Sequence, residues 1–374
     1  MLRGKINLTL LIGVVPVPVP QPITDAITSI QIKTATGEAS GFQITFAFSN
    51  DSPLNTILIL LGQVGPFIRT MVIVSVNGNQ TVLIDGVITN HQVTPNVQTG
   101  QAVLTVTGSD PTALMDYIDF SGIPYPAMPA EARVALVIAK YAFFGLIPMV
   151  IPSIFFDVPI PTNRIPVHQG SDLSYINKLS KEVGYVFYIE PGPVPGMNIA
   201  YWGPEVKVGP VQPALSINMD IHSNVESLSF SFNGDNQSMP IVFIQNELTK
   251  VPIPIPIPNV SLLNPPLAAI PPIPTKFPIL KDTAHLNPVR ALTKGLAEAS
   301  GSADAVTGTG SLNVVRYGHI LKARSLVGVR GAGNAFNGLY YVKSVTHNIK
   351  PGEYTQDFTL TRNGLVSTVP VVPV

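Results

Sequence analysis

The sequence contains no cysteine. That excludes disulfides, thiolate metal ligands and cysteine nucleophiles together, so the fold must hold by packing alone. Charge is also scarce. Only 12% of residues are charged, and 22 Lys+Arg balance 22 Asp+Glu. With no basic surplus to neutralise a phosphate backbone, nucleic-acid binding is not expected. Long uninterrupted apolar runs are missing too. The most apolar stretch, Ile6 to Pro20, carries Asn7, Thr9 and prolines at 16, 18 and 20, and falls short of the roughly 20 residues a spanning helix needs. Arg3 and Lys5 ahead of Leu8–Val15 imitate a signal peptide, but no small-x-small cleavage site follows. The stretch reads as a first strand.

What is present is apolar and β-rich. Mean hydropathy is +0.33, high for a soluble protein, and with so few charges it suggests that much surface is buried against other subunits. Two distant segments carry nearly the same strand-turn-strand text. The first runs Ile88-Thr89-Asn90-His91-Gln92-Val93-Thr94-Pro95, a turn through Gly100, then Leu104-Thr105-Val106-Thr107. The second runs Val345-Thr346-His347-Asn348-Ile349-Lys350-Pro351, a turn at Gly352, then Phe358-Thr359-Leu360-Thr361. In both, the second strand alternates apolar residues with threonine, the period of a strand with one buried face. Two copies of one β-domain are expected, with His91 and His347 in similar places as ordinary polar strand residues.

The expected organisation follows the changes of grammar. Residues 1–109 read as a first β-domain, with strands at Ile27–Thr34, Gly41–Phe48, Thr56–Leu61, Arg69–Val76 and Thr81–Thr89 and a hairpin signal at Asn77-Gly78-Asn79. Residues 110–205 read as an α+β insert, opened by the helix cap Asp110-Pro111. Within it Thr112–Tyr117 and Pro129–Ala142 are helical, the latter with Ala132, Leu136 and Ala139 along one stripe. Ser171-Asp172 caps a further helix that stops at Gly184. Residues 206–365 read as the second β-domain, including strands at Val225–Phe232, Ser311–Arg316 and Ile320–Leu321 and a helix from Asn287-Pro288 through Ala299. It is interrupted by an arm at 251–278 in which ten of twenty-eight residues are proline. That run is expected to stay out of any hydrogen-bond ladder, extended or polyproline II. Its isoleucines Ile253, Ile255 and Ile257 suggest an arm laid on a neighbouring subunit. Residues 366–374 form an extended tail.

No spacing supports an enzyme. The six histidines, 91, 168, 222, 285, 319 and 347, stand singly, without metal-ligand spacing. Gly-x-Ser-x-Gly is missing, and Gly328-Val329-Arg330-Gly331-Ala332-Gly333 fits neither a P-loop nor a dinucleotide fingerprint. Neither a cofactor nor a metal is expected. Candidate interface residues are Arg330 and Arg362, which could pair with carboxylates across a subunit boundary, and Tyr201 and Trp202 from an aromatic strand pair, beside the three arm isoleucines. Core packing is the alternative use for the aromatics.

Two stretches carry a resemblance. His168-Gln169-Gly170-Ser171-Asp172-Leu173-Ser174-Tyr175-Ile176-Asn177-Lys178-Leu179 leads into Glu182-Val183-Gly184-Tyr185-Val186-Phe187-Tyr188. Later, Gly333-Asn334-Ala335-Phe336-Asn337-Gly338-Leu339-Tyr340-Tyr341-Val342 runs through Val345-Thr346-His347 to Tyr354 and Phe358–Arg362. This text resembles the phage late-control D proteins, the tail baseplate hub family shared with the N-terminal part of VgrG spikes. The resemblance implies a mainly β fold with an α+β insert, in which one chain holds two tube-protein-like β-barrels. It also implies a homotrimer that joins a sixfold inner tube to a threefold spike among other baseplate proteins, in a particle made in the bacterial cytoplasm. A fused spike is not expected, because the chain ends soon after the second β-domain. Phage tail, pyocin-like device and injection system all remain open. From another class, a secreted or surface β-protein binding carbohydrate or a receptor would be monomeric with a cleaved N-terminus. A cell-wall hydrolase would need a pocket with a perturbed carboxylate.

Overall fold

A computed structural model of the chain describes residues 6–49, 52, 54–55, 68–96, 101–153, 158–162, 164–236, 238–245, 251–257, 264–281, 283, 288–300, 304–369 and 372. The expected strand at Thr56–Leu61 lies outside the described residues. The N-terminal strands are β1 (Ile6–Gly13), β2 (Val17–Pro18), β3 (Ile27–Ala35), β4 (Gly41–Phe48), β5 (Arg69–Val76), β6 (Asn79–Asn96) and β7 (Gln101–Ser109). The insert contributes β8 (Leu146–Val150), β9 (Val186–Pro191) and β10 (Asn198–Gly203). Then come β11 (Val211–Ser216), β12 (Ser227–Phe232), β13 (Ile241–Gln245), β14 (Pro252–Pro256), β15 (Ala268–Ile270), β16 (Val306–Asn313), β17 (Leu326–Arg330), β18 (Gly338–Lys350), β19 (Glu353–Arg362) and β20 (Leu365–Ser367).

The two expected barrels are absent, and this corrects the sequence reading. Among the described residues no sheet closes on itself. A single 13-stranded sheet runs β12-β16-β19-β18-β3-β4-β7-β6-β5-β1-β2, with β17 and β11 branching from β18. The reason lies at its centre. β3, which would have to return to its own half to close a barrel, pairs antiparallel with β18 of the other half, from Ile30 opposite Ile349 to Ala35 opposite Ser344. An edge spent on joining the halves is not available for closure. One apolar core therefore spans both halves, with Ile30, Ile44, Phe46 and Val106 in the same cluster as Val345, Phe358 and Leu360.

Local chemistry explains the elements. Alternation places Leu104 and Val106 of β7, and Phe358 and Leu360 of β19, in the core, while Thr105 and Thr359 sit on the wetter face. Asn77 and Gly78 take φ values of 53° and 86° in the two-residue turn that sets Val76 opposite Asn79, as a tight hairpin requires. The side chain of Asp110 accepts hydrogen bonds from the backbone N–H of Thr112 at 3.0 Å and of Ser40 at 2.6 Å. It opens a 3-10 helix, Pro111–Asp116, of the same length as the helix expected there and starting one residue earlier. The helix Asp172–Val183 starts with Ser171 Oγ accepting from Ser174 N at 3.2 Å and ends at Gly184 with φ 70°. Helix Ala130–Ala139 buries Val134, Val137 and Ile138 and leaves Ala132, Leu136 and Ala139 facing solvent. The expected stripe was thus the outer one, because the branched aliphatics bury more area than alanine. These helices enclose a second core around Trp202, Ala200, Ile176 and Leu179.

Three further expectations are corrected. Ser311–Arg316 is a strand only to Asn313, whose side chain then caps the short helix Val314–Tyr317. Ile320–Leu321 is not a strand. The proline run also joins a ladder. β14 pairs antiparallel with β13, Ile253 opposite Ile244 and Ile255 opposite Val242. Strict Pro-Ile alternation explains how. Successive residues point their N–H groups to opposite edges, so every isoleucine N–H falls on one edge and every missing proline N–H on the other.

Candidate assembly surface at the two ends of the sheet

Register in the sheet reveals which residues of the duplicated segments correspond. Leu104 lies opposite Phe46 on β4 and Val93 on β6. Phe358 lies opposite Gly310 on β16 and Val345 on β18. Extending these pairings makes β3-β4-β7-β6-β5 one unit and β12-β16-β19-β18-β17 its repeat. Ile30 and Ile32 of β3 then match Phe230 and Phe232 of β12. The equivalence of His91 and His347 fails. His91 lies opposite Val106, whereas His347 lies opposite Gln356 and matches Pro95. His347 is buried, its Nδ1 is 2.7 Å from Tyr354 Oη, and burial lowers its pKa to about 4; His91 is exposed.

The repeat is incomplete at both ends of the sheet. Inside the chain β3 of one unit meets β18 of the other, and the apolar side chains at that junction are covered: Ile32 is 0% exposed and Val345 1%. Their counterparts are not. Phe232 on β12 is 46% exposed and Val93 on β6 is 40% exposed. Among the described residues, β12 pairs only with β16, and the segment of β6 from Asn90 to Asn96 pairs only with β7. The face of β12 beside this edge is lined by uncharged hydroxyls, Ser227 against Ser311 at 2.9 Å and Ser229 against Thr309 at 3.1 Å. It continues through Gln31 and Asn348, joined at 3.0 Å.

The residues singled out in the sequence fall in several places. Arg362 is fully buried within its own chain, stacks 4.4 Å from the Tyr340 ring centre and donates to the carbonyls of Gly364, Asn337 and Ala335 at 2.8, 2.9 and 2.6 Å. Desolvation lowers its pKa. Arg330 is half-buried at the end of β17. Trp202 is buried in the insert core, edge-on to Tyr185. Tyr201 is buried, stacks on Tyr188 and donates to Pro204 O at 2.7 Å, with its pKa pushed up to about 12 by burial. Along the arm Ile257 is buried against Val242, Ile255 is half-buried and Ile253 is exposed. Arg330 and Arg362 are not brought together with the arm or the aromatic pair by any of these contacts.

Two arginines that sequence reading missed fasten the insert to the sheet. Arg324 lies 3.8 Å from the Tyr188 ring centre, 3.7 Å from Glu190 Oε2, and donates to Ala35 O at 2.7 Å. Burial raises the Glu190 carboxyl, with Arg324 opposing. Arg69 makes a bidentate pair with Asp85 at 2.6 and 2.7 Å and donates to Gly196 O of the insert at 2.9 Å. Arg324 carried no sequence signal, sitting in a loop with φ 61°. For Arg69 and Asp85, opposite charges on neighbouring expected strands were the available cue. Among the described residues no three of His, Asp or Glu gather closely enough to hold a metal ion. No described helix is long and apolar enough to cross a membrane.

No protein-family profile and no curated protein sequence matches the chain. Solved structures do. A tail protein from Neisseria meningitidis superposes with a TM-score of 0.63 at 12% identity, over 97% of this chain and 98% of that one. A prophage tail protein from Shewanella oneidensis gives 0.59 at 11% identity, over 95% and 98%. An E. coli component of the type VI secretion system, described as structurally similar to bacteriophage tail proteins, gives 0.55 at 11% identity, over 99% and 81%. At these identities the likeness is one of fold, and it extends over nearly the whole chain.

Proposed function

We propose that this chain is the structural baseplate hub of a contractile tail or injection system, a trimeric adaptor joining the sixfold inner tube to the threefold spike. The observation that carries the reading is the pair of matching five-stranded units in one chain. Three such chains around a threefold axis present six similar units, so one face of the ring is quasi-sixfold while the assembly stays threefold. The end-to-end likeness to tail proteins supports a structural role in such a particle. On this reading the chain divides into units at 1–109, 110–205 and 206–365 with a tail at 366–374. Its partners are a spike, an inner tube and other baseplate proteins, and recognition uses strand edges and packed surfaces rather than a reactive site.

The test is native mass spectrometry of the purified chain, alone and mixed with spike and tube proteins of the same particle. Three copies, alone or on the spike, are expected. A monomer indifferent to both partners overturns the proposal.

A further inference from the structure

Between β15 and the bridge of Lys276 to Ser238 the chain runs as a strap, residues 271–275, that belongs to no helix or strand. Its conformation is nonetheless restricted by its sequence, Ile270-Pro271-Pro272-Ile273-Pro274-Thr275-Lys276. Pro271, Pro272 and Pro274 hold φ at about −65°. Ile270, Pro271 and Ile273, each followed by proline, are confined to extended or polyproline II backbone. Both ends are anchored. At the start, Ala268 pairs with Ser367 and Ile270 with Leu365 of β20, and Asn363 Oδ1 accepts from the N–H groups of Leu267 and Ala268, each at 2.9 Å. Gly364 lets the strap cross closely, since a Cβ there would lie 2.3 Å from Ile270 O. At the far end Met239 N donates to Lys276 O and Ile241 N to Pro278 O, each at 2.9 Å. None of the described hydrogen bonds uses the backbone of residues 271–275.

A polyproline II helix has three residues per turn, so Ile270, Ile273 and Lys276 share one ridge, the two isoleucines about 9 Å apart. All three are exposed, Ile270 at 58% and Ile273 at 84%. Pro272, on another ridge, is half-buried against its own chain. The strap thus turns two Ile-Pro steps and a cation outward, where a plain linker would carry polar residues. Such a ridge fits a groove lined by aromatic side chains, each apolar-proline step filling one slot, with a carboxylate beside the groove to meet Lys276. Tied ends and proline-restricted backbone leave little conformational entropy to lose on docking. We propose that residues 270–276 are a docking ridge for a protein domain of the SH3 type, with an aromatic-lined groove flanked by carboxylates. The ridge is complete within one chain, so its docking does not depend on how many copies assemble.

The test titrates the full chain into an isotope-labelled SH3 domain that selects ligands of the form apolar-Pro-x-apolar-Pro-x-Lys, followed by nuclear magnetic resonance. With the wild-type chain, saturable shifts confined to the aromatic groove are expected. Pro271→Ala with Pro274→Ala should weaken binding by about tenfold or more while the unfolding midpoint stays unchanged. Lys276→Glu, an exposed change that tests the ridge even where the double variant folds poorly, should also weaken binding and remove its sensitivity to salt. Pro272→Ala should bind as the wild type does, because that ring packs partly against its own chain. Absence of shifts with the wild-type chain overturns the proposal, and so does equal binding by the wild type, the double variant and Lys276→Glu. An Ile273→Asp chain that keeps probe binding but loses self-association in sedimentation also overturns it, assigning the ridge to a second copy instead.

Discussion

Arg324 lies flat over Tyr188, its guanidinium carbon 3.8 Å from the ring centre. The contact holds the insert sheet to the main sheet, because the same guanidinium also donates to Ala35 O at the end of β3. Its side chain is 3% exposed, so stacking and hydrogen bonding act away from water, where a cation over an aromatic ring is worth about 2 kcal/mol. Arg324→Ala is expected to cost roughly 3 kcal/mol, since the hydrogen bond to Ala35 O is lost together with the stacking. Arg324→Lys should recover less than half, because an ammonium lacks the flat, multidonor geometry. Trp202, the single tryptophan and fully buried in the insert, reports the change by its fluorescence during denaturant unfolding. Unchanged midpoints in both variants would refute the role.

His347 gives a pH dependence with a definite sign. Its folded pKa, about 4, lies below the ordinary histidine value of 6.5 because burial disfavours the imidazolium. Between those values the unfolded chain binds the proton and the folded chain does not. Stability is therefore full above pH 6.5 and falls as pH drops toward 4, by about 3 kcal/mol at the lower end. Burial raises the Glu190 and Glu205 carboxyls, which works in the opposite direction as pH falls. The measured quantity is therefore the difference between wild type and His347→Gln across pH 7 to 4. The wild type should lose more, and parallel curves would sink the assignment.

The strand faces can be tested by inversion. Leu360 is 0% exposed and the neighbouring Thr359 lies on the wetter face. Leu360→Asp removes about 2 kcal/mol of apolar burial and adds an unpaired charge, enough to unfold a marginal sheet. The double change Phe358→Asp with Leu360→Asp should give insoluble protein. Thr359→Asp should fold with a normal far-ultraviolet circular dichroism spectrum. A soluble, sheet-rich Leu360→Asp protein would mean that the faces are reversed.

How far the fold could be read in advance depended on how local each signal was. The Asn77-Gly78 turn, the Ser171 cap and Gly184 stop, and the apolar–threonine alternation of β7 and β19 are short-range rules, and each appears as read. The pairing of β3 with β18 is not local: Ile30 and Ile349 meet across most of the chain. Nothing in either strand's own pattern distinguishes closing a barrel from joining the other half. The repeat was visible but misaligned, because the similar text of Thr89-Asn90-His91 and Thr346-His347-Asn348 placed His91 beside His347, whereas the ladders match His347 to Pro95. The interface candidates were drawn from residue type alone. That rule could not foresee Arg362 buried beneath its own carbonyl cage, nor Arg324 in a loop.

The alternating arm makes a sharp prediction because its hydrogen bonds depend on parity. Ile253 and Ile255 face β13, while Pro252, Pro254 and Pro256 keep their missing donors off that edge. Ile255→Pro removes a donor in mid-ladder and is expected to release the arm, exposing 251–257 to limited proteolysis while the main sheet stays intact. Pro254→Ile should leave protection unchanged. Equal cleavage of both variants would show that the arm is held by the packing of Ile257 against Val242 rather than by the ladder.

Phe232 separates assembly from folding. At 46% exposed in the single chain, it stands at the edge of β12 rather than inside the core, and surface substitutions of this kind change stability by no more than about 0.5 kcal/mol. Phe232→Asp should therefore keep the wild-type unfolding midpoint. If another chain covers this edge, as the hub reading expects of strand edges, the same aspartate would be buried there. An uncompensated buried charge costs several kcal/mol, and about 3 kcal/mol at each contact is more than a hundredfold in association. Sedimentation at graded concentrations should show the variant as single chains where the wild type is associated. A variant that unfolds early would place Phe232 in the core of one chain; one that associates normally would move the subunit contact away from β12.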